Sequence, residues 1–153
     1  MKKLLIFILT VSFAFAAQIE VTADKFGADE KKQISEFAGN VTVIKEKDTL
    51  NADKVTINFD ERKQPTKYTA SGNVRVKMLL NEKHYNASGK TLIYEPALSK
   101  YTLEGDAFLS EIDTDKRVYG EKIEVDQTNG TYVVEGKSSE PAKFFFQIED
   151  SKK

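Results

Sequence analysis

The chain has 153 residues, a formal charge of −1, one histidine, and neither cysteine nor tryptophan. That length predicts one domain, large enough to bury about two-thirds of its surface without disulfides. Lysines scattered among acids form no basic stripe, which excludes nucleic acid as a partner, and the lack of cysteine and of clustered histidine excludes the common metal centres, so no metal is expected.

In chain order, the first element is a leader. Lys2 and Lys3 precede an apolar run, Leu4 to Leu9, that continues from Val11 to Ala17. A membrane span needs about 20 apolar residues, and this run ends at Gln18. Ala14-Phe15-Ala16 has the small-x-small form of a signal-peptidase site. Residues 1–16 are therefore read as a cleaved signal peptide and 17–153 as the mature domain. Cleavage removes two positive charges and leaves −3.

Period-2 alternation fills the rest. Tyr68, Ala70, Gly72, Val74, Val76 and Met78 alternate with Thr69, Ser71, Asn73, Arg75 and Lys77, the mark of a strand with one buried face. Val55, Ile57 and Phe59 do the same, as do Tyr101, Leu103, Gly105, Ala107 and Leu109, with Phe108 apolar on the other face. Phe144, Phe146 and Ile148 close the series, with Phe145 opposite. Short polar breaks separate these runs, at Lys45–Asp48, Asp60–Pro65, Asn81–Lys83, Glu95–Lys100 and Asp113–Lys116. Asn129-Gly130 is the strongest hairpin signal and predicts a type I′ turn. Pro65, Pro96 and Pro141 fall at breaks. The reading is all-β with almost no helix: about nine antiparallel strands, as two sheets or one folded sheet over an apolar interior.

A repeat runs through the strands. Gly39, Gly72 and Gly105 stand 33 residues apart, and Gly136 follows 31 later. A second motif interleaves with them: Val21-Thr22-Ala23-Asp24-Lys25, Asn51-Ala52-Asp53-Lys54-Val55, Asn86-Ala87-Ser88-Gly89-Lys90 and Tyr119-Gly120-Glu121-Lys122-Ile123. Helical repeats share this period, but β-branched alternation excludes them. The unit is a stacked hairpin with small residues where strands bend or backbones approach.

Catalytic patterns are missing. His84 stands alone beside a turn, no Gly-x-Ser-x-Gly stretch exists, and no glycine-rich loop opens a helix. Asp24, Asp29, Glu30, Asp113 and Asp115 read as solvated turn acids. Asn40, Asn86 and Asn129 head formal glycosylation triplets that read as turn and strand composition. The predicted interior comprises Phe37, Val41, Val43, Leu50, Val55, Ile57, Phe59, Tyr68, Val74, Val76, Met78, Leu92, Tyr94, Tyr101, Leu103, Leu109, Val118, Ile123, Val125, Tyr132, Val134, Phe144 and Phe146. An ordinary sealed core and a cleft for an apolar ligand both fit that set.

Four motifs, in this order, resemble the OstA-like family: Val21-Thr22-Ala23-Asp24-Lys25, Ala38-Gly39-Asn40-Val41, Leu50-Asn51-Ala52-Asp53-Lys54-Val55 and Ser71-Gly72-Asn73-Val74. The resemblance runs from about Ile19 to Phe146. Later copies, Gly105-Asp106-Ala107 and Tyr119-Gly120-Glu121, keep only the small residue. The resemblance implies a twisted antiparallel β-jellyroll open along one side. It also implies a non-enzymatic periplasmic carrier without cofactors. Such a carrier passes lipopolysaccharide or lipooligosaccharide from an inner-membrane extraction complex, which supplies the energy, to an outer-membrane translocon, its copies joined end to end as a homo-oligomer. On that reading Phe37, Val43, Ile57, Phe59, Tyr68, Val76, Met78 and Leu103 are the expected acyl-chain contacts. Ile19, Val21, Phe144, Phe145 and Phe146 are the expected self-assembly edges, on terminal strands Ile19–Phe26 and Lys143–Glu149. The rivals are a membrane-anchored partner of the same pathway, a structural β-protein with a sealed core, and a sugar-binding jellyroll, against which the missing tryptophan argues.

Overall fold

The computed structural model describes residues 18–149; the predicted signal peptide lies outside the described residues. The described residues form ten strands: β1 (Ile19–Thr22), β2 (Lys25–Asp29), β3 (Ile34–Lys45), β4 (Asp48–Phe59), β5 (Pro65–Leu80), β6 (Lys83–Glu95), β7 (Lys100–Glu111), β8 (Lys116–Asp126), β9 (Thr131–Glu135) and β10 (Lys143–Phe145). The one helical element among them is a 3₁₀ turn at Pro96–Leu98. All strands join one antiparallel sheet in the order β1-β3-β4-β5-β6-β7-β8-β10, with β2 also on β3 and β9 also on β8. Of the two expected arrangements, a single folded sheet is the one formed.

The fold line is written by the glycine repeat. Gly39-Asn40, Gly72-Asn73 and Gly105-Asp106 are consecutive pairs at positive φ. Each pair interrupts the ladder with a register shift, between Ala38 and Val41, Ser71 and Val74, and Glu104 and Ala107. Two residues facing one, a single extra residue in the strand, bend it sharply, so each long strand changes layer at its middle. The first layer holds β1, β10 and the long-strand halves around Val43, Val76 and Leu109. The second holds β2, β9 and the halves around Ile57, Tyr68 and Leu103.

The interleaved motif supplies the partners across this crease. Asn40 Nδ2 donates to Asp24 Oδ2 and Asn73 Nδ2 to Asp53 Oδ2, both at 3.0 Å. The next rungs use ion pairs instead, Lys90–Asp106 at 3.7 Å and Lys137–Glu121 at 3.2 Å. The departures seen in the later copies are therefore exchanges of one polar rung for another. A Cβ on Gly72 would stand 2.8 Å from the Asp53 Cβ, so both the φ and the rung demand glycine there.

Inward-facing residues from both layers form one core cluster, with Val41, Val74 and Ile123 its most completely buried large side chains. Ala52, Ala70 and Ala107 are buried beside them along the crease.

The terminal strands differ from expectation. The predicted strand Ile19–Phe26 is broken at Ala23-Asp24, where the crease crosses it, and its halves pair with opposite ends of β3. At the other end β9 and β10 pair with opposite ends of β8, so ten strands replace the expected nine. The strand predicted over Lys143–Glu149 stops at Phe145.

The Asn129-Gly130 hairpin forms, but its turn is not type I′. Only Gly130 has positive φ, and Asp126 pairs with Thr131 across a four-residue loop. Asp126 Oδ1 accepts the Asn129 N–H at 3.0 Å, and this side-chain turn takes over the role a second left-handed residue would have had. The double positive φ of a type I′ turn falls instead at Asn81-Glu82.

Candidate functional site

A groove lies between the layers, opposite the crease, where the hairpin tips of the two layers face each other. It consists of two adjoining cavities. One, of about 320 Å³, lies toward the β1 end and includes Val43, Leu50, Tyr68 and Tyr94. The other, of about 330 Å³, lies toward the β10 end and includes Leu103, Leu109, Ile123, Val125 and Phe144. Val76, Met78, Leu92 and Tyr101 line both, so the two form one apolar path.

The groove exists because side-chain size changes along each strand. Near the crease the inward positions are small, as at Ala52, Ala70, Ala107 and Gly120. A Cβ on Gly120 would press on Val134 Cγ1 at 2.7 Å, so the layers approach closely at that point. Toward the tips the inward residues are Met78, Tyr68, Tyr94 and Tyr101, which are only partly buried. A wedge results, shut at the spine and open at the tips.

Three tyrosines form its second-layer wall. Register pairs Tyr68 with Tyr94 and Tyr94 with Tyr101, and their ring centroids lie 5.9 and 4.3 Å apart. Burial, then the neighbouring Tyr94 phenol, pushes the Tyr101 phenol well above the ordinary tyrosine range. Tyr68 is raised by the same two causes.

Five of the eight expected contacts line the path: Val43, Tyr68, Val76, Met78 and Leu103. The other three do not. Ile57 is buried in the core, and Phe37 and Phe59 pack against it. Phe37 instead packs against Phe26, ring centroids 4.8 Å apart and tilted by 34°, on the exposed second-layer edge. Leu92 and Tyr101, central to the path, belong to the predicted interior but not to the chosen contacts. Tyr94 and Tyr101 flank the Glu95–Lys100 break symmetrically, and that symmetry was a legible signal of their pairing.

Both ends of the wedge show apolar surface. Ile19 is 43% exposed and Phe26 60% at one end; Tyr132 is 57% and Phe144 50% exposed at the other. Tyr132, Phe144 and Phe146, expected inside, are thus half open because no strand among the described residues covers that edge. Val21 packs on the core. The Phe144 and Phe146 rings pack with centroids 5.3 Å apart, tilted by 31°. Phe145 faces outward, edge-on to Tyr119 and under Arg117.

The turn acids have local partners. Asp113 accepts the His84 backbone N–H at 2.6 Å and lies 3.1 Å from the His84 ring. Asp29 accepts the Lys32 N–H, and Asp115 accepts from Gln147. Among the described residues no group of His, Cys, Asp and Glu is arranged to hold a metal ion, and no helix is long and apolar enough to cross a membrane.

No curated protein sequence matches the chain significantly. Twenty-one solved chains match it in structure. Among them is LptH of Pseudomonas aeruginosa, described as the LptA-homologous periplasmic component of the conserved lipopolysaccharide transport device. It is 20% identical, with a TM-score of 0.74 over 86% of this chain and 96% of that one. The likeness gives the fold: an open, nearly helix-free LptA-like β-jellyroll. A family model described as LptA/(LptD N-terminal domain) LPS transport protein matches residues 20–131. By the extent of that match, the chain belongs to the LptA/(LptD N-terminal domain) family of LPS transport proteins.

Proposed function

We propose that this chain is a periplasmic, non-enzymatic carrier that holds the acyl chains of lipopolysaccharide in the groove between its layers and passes the lipid along a bridge of end-to-end copies. The observation behind this reading is the continuity of the apolar path through Val76, Met78, Leu92 and Tyr101. A twelve-carbon chain left in water costs about 10 kcal/mol, at roughly 0.8 kcal/mol per methylene. A carrier must therefore keep the chains dry without a break, and a wedge shut only at its spine does so without moving parts.

Assembly follows from the edges. β1 and β2 at one end, and β9 and β10 at the other, each have one side without a strand partner among the described residues. Free edges recruit strands. Apposing β10 with β1 and β9 with β2 of the next copy would continue both layers and cover Phe144, Tyr132, Ile19 and Phe26. The same edges suit the inner-membrane and outer-membrane partners at the ends of a bridge. Residues 1–16 serve in this reading as the export signal, and LptH, a periplasmic component, supports the location.

A photo-crosslinker at Met78 or Tyr101 in the exported protein is expected to capture lipopolysaccharide, while one at the outward-facing Lys67 is not. Equal capture at both positions, or none at Met78, refutes the carrier. Intact mass of the exported protein is expected to lack residues 1–16; their retention would favour a membrane-anchored partner of the same pathway.

A further inference from the structure

The first layer's tips aim three charged side chains at the groove. Glu111 ends β7 on the inward side, two positions beyond Leu109, and is only 8% exposed. Lys83 opens β6 and Lys116 opens β8, and all three residues line the cavity. The ammonium groups approach different carboxylate oxygens: Lys83 Nζ lies 2.9 Å from Oε1, and Lys116 Nζ lies 3.7 Å from Oε2. The Lys83 contact, chiefly, holds the Glu111 carboxyl below its ordinary range.

An inward carboxylate is out of place on an otherwise apolar wall, since buried ion pairs seldom repay their desolvation. A tie between strands does not require it. In the second layer β7 and β8 are tied on the outward face by Lys100–Glu124 at 3.6 Å, with Lys122 of β8 itself 3.2 Å from the same carboxylate. At the first-layer tips the acid is buried while both lysine side chains remain about half exposed, at 48% and 47% for Lys83 and Lys116. Each ammonium has three donors, so donors remain free. Two cations steadied by one acid stand where the apolar path meets water.

We infer that Lys83 and Lys116, oriented by Glu111, form a phosphate-binding lip for the headgroup of the lipid whose chains occupy the adjoining groove. This assignment rests on the carrier reading above. A phosphate offers three acceptor oxygens and more than one negative charge, so it can take a charge-assisted hydrogen bond from each lysine at once. Glu111 is a positioning residue in this arrangement. Free phosphate has the same chemistry, and the test separates the two sources.

Binding of purified protein is measured to lipopolysaccharide with a phosphorylated lipid A, to the same lipid stripped of phosphate, and to inorganic phosphate alone. The variants are K83M/K116M, which keeps the aliphatic stems, and K83M/E111Q/K116M, which leaves no stranded carboxylate if the first fails to fold. Lys67→Ala on the outer face is the control. Wild type and control are expected to prefer the phosphorylated lipid by about tenfold or more. The triple variant is expected to bind both lipids as wild type binds the stripped one. Equal wild-type affinity for the two lipids, or a preference retained by the triple variant, overturns the lip while binding of the stripped lipid leaves the carrier standing. Lysine-dependent binding of inorganic phosphate as tight as that of the phosphorylated lipid overturns the headgroup assignment. Failure of wild type to bind either lipid overturns the carrier, and the lip with it.

Discussion

The crease and the mouth are built from the same strands with the same alternation, yet one is sealed and the other open. At the crease every bend has a polar partner, and Val41, Val74 and Ala107 are almost wholly buried. At the mouth, Met78, Tyr68 and Tyr101 keep part of their surface free. Alternation decides only which face a residue takes. Distance from the bulge then decides whether that face is filled by its neighbours or left open. A small residue at the spine is thus as much a part of the groove as a large one at the tip, because it sets the angle at which the layers part.

Substitutions can break this contrast. Gly72→Val places a β-branched residue at φ 78° against the Asp53 side chain, and should cost about 3 kcal/mol or more in urea unfolding. A near-neutral result would mean that the crease yields easily. Ile123→Ala at the sealed core should cost about 2–4 kcal/mol. Met78→Ala, lining the open groove, should cost only about 1 kcal/mol while sharply reducing lipid crosslinking at Tyr101. Equal losses of stability for these two would erase the distinction between core and groove.

Exchanging rungs sharpens the contrast further. Asp53→Ala removes the acceptor of the Asn73 amide and should cost about 0.5–1 kcal/mol. Lys90→Ala breaks an ion pair whose partners are 73% and 71% exposed, and should fall within about 0.5 kcal/mol, shrinking with added salt. The reverse order would show that the ion-pair rungs, not the amide rungs, hold the crease.

The smallest effect is one of pH. Glu111 has its folded pKa depressed below the ordinary value of 4.5, so its contribution to stability is present above that value. It is lost as pH falls through the folded pKa. The melting-temperature gap between wild type and Glu111→Gln should therefore be seen at pH 7 and close in acid. A gap unchanged down to pH 3 would show that the Lys83–Glu111–Lys116 contacts do not act through charge.

Much of this was legible in the sequence, and for a local reason. Period-2 alternation is written within each strand, so the inward faces of β3 to β8 could be read directly. A residue pair that must sit at positive φ constrains its own identity, so the glycine repeat located the bends of β3, β5 and β7, though not the break at Ala23-Asp24. Tyr132, Phe144 and Phe146 were read as interior because alternation cannot tell a covered strand from an edge strand. Phe37, Ile57 and Phe59 were chosen as contacts because nothing local distinguishes sealed core from open cleft.

The sequence by itself thus determined strand faces, bends and family, since each depends on residues close together in the chain. Only the tertiary structure decided the depth of each side chain in the wedge and the meeting of Lys83, Glu111 and Lys116. Both depend on register between strands, which the hairpin tips and bulges set jointly and no single strand contains.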